Sequence, residues 1–254
     1  MLNRIIIAVW VVILLSPATL LNGCWSKKKP VQLICITDLT ASVEPQAQAE
    51  CFAALQSAFK QLQRGSSLTI IPVTSDAAAQ SSGRGLRFQV SEKREVYDAD
   101  LKRLAREVTE KTQAMRDEAA VNPFLRSDLL GALKQAEEEM AQGGAGAIPA
   151  LVILSDFVQD DAALRFKADG RLKDEAAAVE FAHKTAGERR LKLRNARIFL
   201  GSVRSRDLQD LSAERRAAIR AFWREFLMRS GAGLVEEATD GPGLMARFVQ
   251  KTVK

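Results

Sequence analysis

The chain has 254 residues, of which 47% are hydrophobic, so it can bury a sizeable core, and general disorder is excluded. Its net charge of +6 is spread along the sequence and indicates no nucleic-acid partner. The single histidine, His183, lies in a charged helical segment, and this scarcity excludes serine–histidine hydrolases and histidine-based zinc sites.

Residues 1–23 have the layout of a bacterial secretory signal peptide, with Arg4 ahead of an apolar run. That run is shorter than the ~20 residues that span a bilayer comfortably. Leu21-Asn22-Gly23-Cys24 resembles a lipobox, in which Cys24 is lipidated and becomes the mature N-terminus. We therefore expect a lipoprotein of the bacterial cell envelope that faces the periplasm, with residues 24–30 as its tether. Simple cleavage to a periplasmic or secreted protein and an uncleaved anchor are the alternatives.

The stretch 31–43 is the one around which we expect the remaining domain, residues 31–254, to be organised. Its first half, residues 31–36, is apolar and rich in β-branched residues, which is typical of a strand buried on both faces of a parallel sheet. Asp38, Thr40 and Ser42 follow at alternate positions, where this strand ends. Ligands of open α/β sheets bind at that edge. Because carboxylate and hydroxyl oxygens suit hard cations, these residues predict a site for Mg²⁺, or for Mn²⁺ or Ca²⁺.

Helical and strand patterns then alternate along the chain. Strands are predicted at 68–73, 86–90, 150–154, 196–200 and 234–235, and helices at 45–63, 98–120, 211–230, from Ser127 onward and around Phe248. Residues 86–90 alternate apolar with polar, which indicates an antiparallel edge strand. The charged helical segment 160–195 is expected to be a surface elaboration. The pattern predicts an α/β fold of three layers, with a mostly parallel central sheet and helices on both faces.

Asp38-x-Thr40-x-Ser42 after a buried strand resembles the metal-ion-dependent adhesion site of von Willebrand factor A (VWA) domains. That family usually has serine where this chain has Thr40. The resemblance implies two further ligands, namely Ser127 in place of the family's helix-opening threonine and Asp156 after the fourth strand. It also implies the Rossmann-like VWA fold over essentially all residues after Pro30.

The resemblance further implies an exported, non-catalytic module for cation-dependent protein binding, in adhesion or as a scaffold. In the family, an open position on the cation accepts a carboxylate from the partner protein. A VWA-like scaffold without metal is one alternative. A Mg²⁺-dependent phosphotransferase of the haloacid dehalogenase type is another, although that family requires an aspartate where this chain has Thr40.

Each candidate ligand also has an ordinary structural interpretation. Ser42 and Ser127 precede predicted helices and are suited to cap them, and Asp38 is suited to bind loop amides. Cys35, in the central strand, and Cys51, on a buried helical stripe, are expected to be packed thiols, with a disulfide between them as the alternative. The arginines between 216 and 224 are interpreted as a solvated helix face, with phosphate or lipid headgroups as alternative ligands.

Overall fold

The structure is a computed structural model that describes residues 29–75, 85–144 and 146–253. The predicted signal peptide, the lipobox with Cys24 and most of the predicted tether lie outside these residues. Within the described ranges, no helix combines the length and the apolar character needed to cross a membrane.

Six strands form a single sheet, and the first strand lies near its centre. The strands are β1 (Val31–Asp38), β2 (Ser67–Val73), β3 (Leu86–Gln89), β4 (Ile148–Ser155), β5 (Arg197–Ser202) and β6 (Leu234–Ala238). Their order is β3-β2-β1-β4-β5-β6, and every pairing is parallel except that of β2 with the edge strand β3. The predicted α/β class, with a mostly parallel sheet and one antiparallel edge strand, is confirmed.

Helices cover both faces of the sheet. They are α1 (Pro45–Phe59), α2 (Tyr97–Val121), α3 (Leu129–Ala141), α4 (Glu175–Arg189), the short α5 (Arg206–Gln209), α6 (Ala213–Arg229) and α7 (Gly241–Thr252). All eight residues of β1 are buried. Because strand side chains alternate between faces, Leu33 and Cys35 pack with α1, α2 and α7, whereas Ile34 and Ile36 pack with α3, α4 and α6. The predicted three-layer arrangement is confirmed.

The segment 160–195 belongs to the core, so its prediction as a surface elaboration is wrong. Phe166 and Leu172 are fully buried, and Phe181 is 5% exposed. The ring centroid of Phe166 lies 4.9 Å from that of Phe222 and 5.8 Å from that of Trp223, both on α6. The many charged residues of the segment are exposed, while a few large apolar ones fill the space between α4 and α6.

The two cysteines of the domain are free and buried, as expected for packed thiols. Burial raises the pKa of the Cys35 thiol well above its ordinary value. It also raises the pKa of Cys51 to about 12, with a smaller contribution from the negative charge of Asp38. Both thiols are therefore protonated at neutral pH and behave as small apolar groups.

The backbones of β5 and α7 touch at Gly201 and Gly241. A Cβ atom added to Gly201 would lie 2.6 Å from Leu154 Cδ2 and 2.8 Å from Gly241 Cα. Both positions therefore require glycine, because any side chain would push α7 away from the sheet.

His183, Arg216 and Arg224, which the sequence analysis singled out, have acidic or carbonyl partners. His183 Nε2 lies 2.6 Å from Glu225 Oε1 at the surface. Arg216 Nη1 donates to the carbonyl of Leu211 over 2.6 Å, and Arg224 forms an ion pair with Glu237. Two of the arginines between 216 and 224 thus have partners within the protein and need no phosphate or lipid ligand.

Candidate metal centre

Four of the five predicted ligands form a continuous hydrogen-bonded chain where β1 and β4 end. The Thr40 hydroxyl donates to Asp38 Oδ1 over 2.6 Å and lies 3.1 Å from Ser42 Oγ. Ser42 Oγ in turn donates to Asp156 Oδ2 over 3.3 Å. The chain forms because β1 and β4 are adjacent parallel strands, so their carboxyl ends meet at one edge of the sheet.

The loop after β1 is held by two other segments. Ala41 N donates to Phe124 O over 2.9 Å, which ties the loop to the segment before α3. On the other side, Arg206 N donates to Ser42 O over 2.9 Å, and Arg206 Nη2 donates to Ala41 O over 2.6 Å. These bonds fix the positions of Thr40 and Ser42 relative to the sheet.

Ser155, which the sequence analysis did not single out, orients the first carboxyl. Its hydroxyl donates to Asp38 Oδ2 over 2.7 Å and accepts from Phe157 N over 2.9 Å. Phe157 has a φ of 63°, in the left-handed region that non-glycine residues rarely adopt. Its carbonyl accepts from Trp223 Nε1 over 2.8 Å, so the core holds this strained residue directly beside Asp156.

The fifth predicted ligand, Ser127, lies on a neighbouring segment but is not hydrogen bonded to the other four. Its side chain is buried, and within the described residues its hydroxyl has no hydrogen-bond partner, a property that Thr37 and Thr74 share. The backbone of Ser127 exchanges two hydrogen bonds with Asp160, of 2.8 and 3.2 Å. Phe124, three residues earlier, forms a β-bridge with Thr40, so the segment passes beside the cluster.

The interpretation of the serines as helix caps is wrong. Asp128 caps α3, since its Oδ1 accepts from Gly131 N over 2.8 Å, and Ser127 lies outside the helix. The residue before α1 is Glu44, which makes no side-chain cap, so Ser42 is not a cap either. Asp38 Oδ1 does accept from the backbone N–H of Thr40 over 3.0 Å, as the loop-amide interpretation predicts.

Both carboxyl groups of the cluster are buried, with Asp38 3% and Asp156 1% exposed. Burial raises the pKa of Asp38 above its ordinary value, against the opposing effect of hydrogen bonds from Thr40 and Ser155. Burial and the charge of Asp38 raise the pKa of Asp156 to about 7, opposed by hydrogen bonds from the Ser205 side chain and from Val158 N.

The charges near the two carboxyls are mostly negative. Asp207 raises the pKa of both Asp38 and Asp156. Basic side chains of the surrounding loops have other partners, since Lys167 pairs with Asp207 and Arg204 with Glu50. A divalent cation would supply the positive charge that favours ionisation of both groups.

The side chains at this edge are oxygen donors. In the part of the chain that the structure describes, no three His, Cys, Asp or Glu side chains form a metal-binding group. A site here would therefore combine two carboxylates with hydroxyl oxygens, including the unpaired one of Ser127. This set fits Mg²⁺, which takes six oxygen ligands and usually keeps several waters, whereas Zn²⁺ prefers nitrogen and sulfur.

A second residue that the sequence analysis missed, Gln159, organises the start of α3. It is fully buried, and its Oε1 accepts from the backbone N–H groups of Leu129 and Leu130 over 2.8 and 3.1 Å. Its Nε2 donates to Asp161 Oδ2 over 2.9 Å. Gln159 thereby couples the loop after β4 to the helix that follows Ser127, and no local pattern in the sequence signals this role.

Comparison of the sequence with protein-family models and with curated proteins finds no match. Solved structures with a similar arrangement include manganese-loaded TRAP protein of Plasmodium vivax, with 12% identity, a TM-score of 0.45, and coverage of 89% of this chain and 74% of that chain. They also include a von Willebrand factor type A protein of Catenulispora acidiphila, with 16% identity, a TM-score of 0.46, and coverage of 89% and 42%. A third is the pilus adhesin SpaC of Lactobacillus rhamnosus GG, with 12% identity and a TM-score of 0.46. The match covers 88% of this chain and 30% of the SpaC chain.

The chain thus spans less than half the length of the latter two proteins. At these identities and TM-scores, the assignment of the α/β fold rests on the sheet order and register of this chain itself.

Proposed function

We propose that this protein is an exported, lipid-anchored module that binds a protein partner through a divalent cation and has no catalytic activity. The observation that carries the proposal is the juxtaposition of Asp38 and Asp156, two buried carboxyls linked by hydroxyl groups and lacking a basic partner among the described residues. Such a pair is costly to ionise unless a cation is bound between the two groups.

The protein's own residues have distinct parts in this proposal. Asp38 and Asp156 would provide the negative charge, and Thr40 and Ser42 would provide hydroxyl oxygens from a loop held on both sides. Ser127 would add a hydroxyl that has no other partner in the described structure. A bound Mg²⁺ would supply positive charge and an open coordination position, at which a carboxylate of the partner would bind.

The proposed location follows from the N-terminal sequence. The lipobox-like Leu21-Asn22-Gly23-Cys24 behind an apolar run supports a lipid anchor at Cys24. Residues 24–30 would then separate the domain from the membrane surface, and the partner would be a protein of the cell envelope.

Two alternatives make different predictions for the same residues. A metal-free scaffold is favoured by the hydrogen bonds that already satisfy Asp38, and it predicts no cation binding. A phosphotransferase would need an acid–base group two residues after a nucleophilic Asp38. That position is Thr40, whose hydroxyl donates to Asp38 and cannot exchange a proton in this way near neutral pH.

Titration calorimetry with Mg²⁺ and Mn²⁺ tests the proposal. The parent protein should bind with an affinity between about micromolar and millimolar, because an open oxygen site retains water. Asp38→Ala should lose binding while circular dichroism shows an intact fold. Ser127→Thr should keep binding, because the hydroxyl remains. Asp210→Asn, which removes an exposed carboxyl, serves as the matched control and should bind as the parent does. Equal binding by Asp38→Ala and the parent would contradict the proposal.

A further inference from the structure

The end of α2 and the segment that follows it, residues 121–126, expose apolar side chains near the candidate metal centre. Val121 is 77% exposed and Leu125 is 79% exposed. Other exposed large hydrophobic residues in the described ranges, such as Val96 and Met228, reach only 46%. Scattered exposed apolar residues are ordinary, but these two strongly exposed side chains lie on one short segment.

Backbone contacts place this segment close to the cluster. Phe124 is bridged to Thr40, and Ala41 N donates to Phe124 O over 2.9 Å. Bridged residues lie about 5 Å apart and successive Cα atoms about 3.8 Å, so the Cα of Leu125 lies within about 9 Å of that of Thr40. The segment is also bonded on either side of this contact, through Asn122 N to Glu118 O and through Ser127 to Asp160. It is therefore ordered before any partner binds, which lowers the entropy cost of binding.

Positive charge lies next to the apolar side chains. Arg126 is exposed, and among the described residues no carboxylate forms an ion pair with it. With Arg189 it lines a cavity of about 520 Å³, whereas Lys134, which also lines this cavity, forms an ion pair with Glu137 over 2.6 Å. The two acids of this cavity are engaged locally, since Asp128 Oδ1 accepts from Gly131 N and Asp161 Oδ1 accepts from Ala163 N. Arg126 and Arg189 are therefore the positive groups that the cavity offers to a carboxylate, beside two acids that are already bound to backbone N–H groups.

We propose that Val121, Leu125 and Arg126, together with this cavity, form the docking surface for an acidic protein segment. In the partner's segment, one carboxylate binds the cation. An aliphatic or aromatic side chain next to that carboxylate packs on Leu125 and Val121 of this protein. A second carboxylate pairs with Arg126. The inference rests on the proposed function and extends it, because a cation alone accepts any carboxylate and selectivity comes from the surface around it.

Selection from a phage-displayed library of random peptides of about 12 residues tests the proposal. The full protein is immobilised in Mg²⁺, and bound phage are released with EDTA. Released clones should carry Asp or Glu beside an aliphatic or aromatic residue, with a second acidic residue nearby. Synthetic peptides from these clones should bind Leu125→Ser and Arg126→Gln about tenfold more weakly than the parent. Val96→Ser, at the opposite end of α2, is the matched control and should bind them as the parent does.

The outcomes separate this inference from the proposed function. Calorimetry should show that Leu125→Ser and Arg126→Gln bind Mg²⁺ as the parent does. Two outcomes would overturn the docking surface and leave the proposed function standing. In one, the protein binds Mg²⁺ but EDTA releases no clones; in the other, the released peptides bind both variants as tightly as they bind the parent. Absence of Mg²⁺ binding by the parent would overturn the proposed function and this inference with it. Cation-independent binding to phosphatidylglycerol vesicles that Leu125→Ser abolishes would assign the segment to a lipid surface and also overturn the proposal.

Discussion

Replacement of Asp156 by asparagine should stabilise the metal-free protein at alkaline pH. The pKa of Asp156 is raised from 3.8 to about 7 in the folded chain, chiefly by burial. The unfolded chain therefore loses this proton at lower pH than the folded chain does. The contribution of this group to stability is fully present below about pH 3.8 and is lost progressively as the pH rises from there through about 7.

The size of the effect follows from the same values. At about 1.4 kcal/mol per pKa unit, ionising the buried carboxyl by about pH 8 lowers the free energy of unfolding by about 4 kcal/mol. Roughly half of this loss falls between about pH 5.5 and about pH 8, so the parent should lose about 2 kcal/mol over that interval. An asparagine keeps the size of the side chain and has no charge. Asp156→Asn should therefore be more stable than the parent in EDTA at about pH 8, by up to about 4 kcal/mol.

Urea denaturation at the two pH values, with EDTA and with Mg²⁺, measures this directly. The difference between the parent and Asp156→Asn reports the titration of Asp156 together with its coupling to Asp38, apart from the other titrating groups. Asp210→Asn makes the same change in charge at an exposed position and should follow the parent. Mg²⁺ should raise the stability of the parent at about pH 8 and leave that of Asp156→Asn unchanged. The same dependence on pH in the parent and Asp156→Asn would refute the reasoning.

Three further predictions concern the core and the anchor. Gly201→Ala should destabilise the fold by about 3 kcal/mol in urea denaturation, because its Cβ would overlap Leu154, whereas Gly187→Ala, on open helix surface, should be neutral or slightly stabilising. Phe166→Ala should cost about 3–5 kcal/mol, and a loss below about 1 kcal/mol would show that its segment lies outside the core after all. Cys24→Ser should abolish metabolic lipid labelling and leave the precursor unprocessed, and normal processing would contradict the lipoprotein assignment.

The sheet was predictable from the sequence because its signals are local. The apolar, β-branched run at 31–36 needs burial on both faces, which a central strand of a parallel sheet provides. The predicted strand ended two residues early, at Ile36. Thr37 and Asp38 are polar, yet they continue the pairing with Pro72 and Val73. The change from apolar to polar residues at Thr37 therefore lies within the strand, near the edge of the sheet that carries the candidate site.

The errors arose where packing depends on residues far apart in the chain. Phe166 and Phe181 lie in a segment whose average composition is strongly charged, and their burial depends on a helix that follows much later. Ser155 and Ser205 act on Asp38 and Asp156 through contacts that no sequence spacing predicts. The hydrogen-bond partner of a serine at the end of a strand depends on which strand lies next to it, and the sequence around the serine does not give this.

The hydrogen bond from Trp223 to the carbonyl of Phe157 makes tryptophan fluorescence a probe of the loop after β4. The sequence contains three tryptophans, and the other two are Trp10 and Trp25. A protein shortened to begin at residue 29 would therefore fluoresce from a single indole, which is hydrogen bonded to the residue that follows Asp156. Any rearrangement of that carboxylate which moves the Phe157 carbonyl would change the emission spectrum, so the loop can be followed in real time without an attached label.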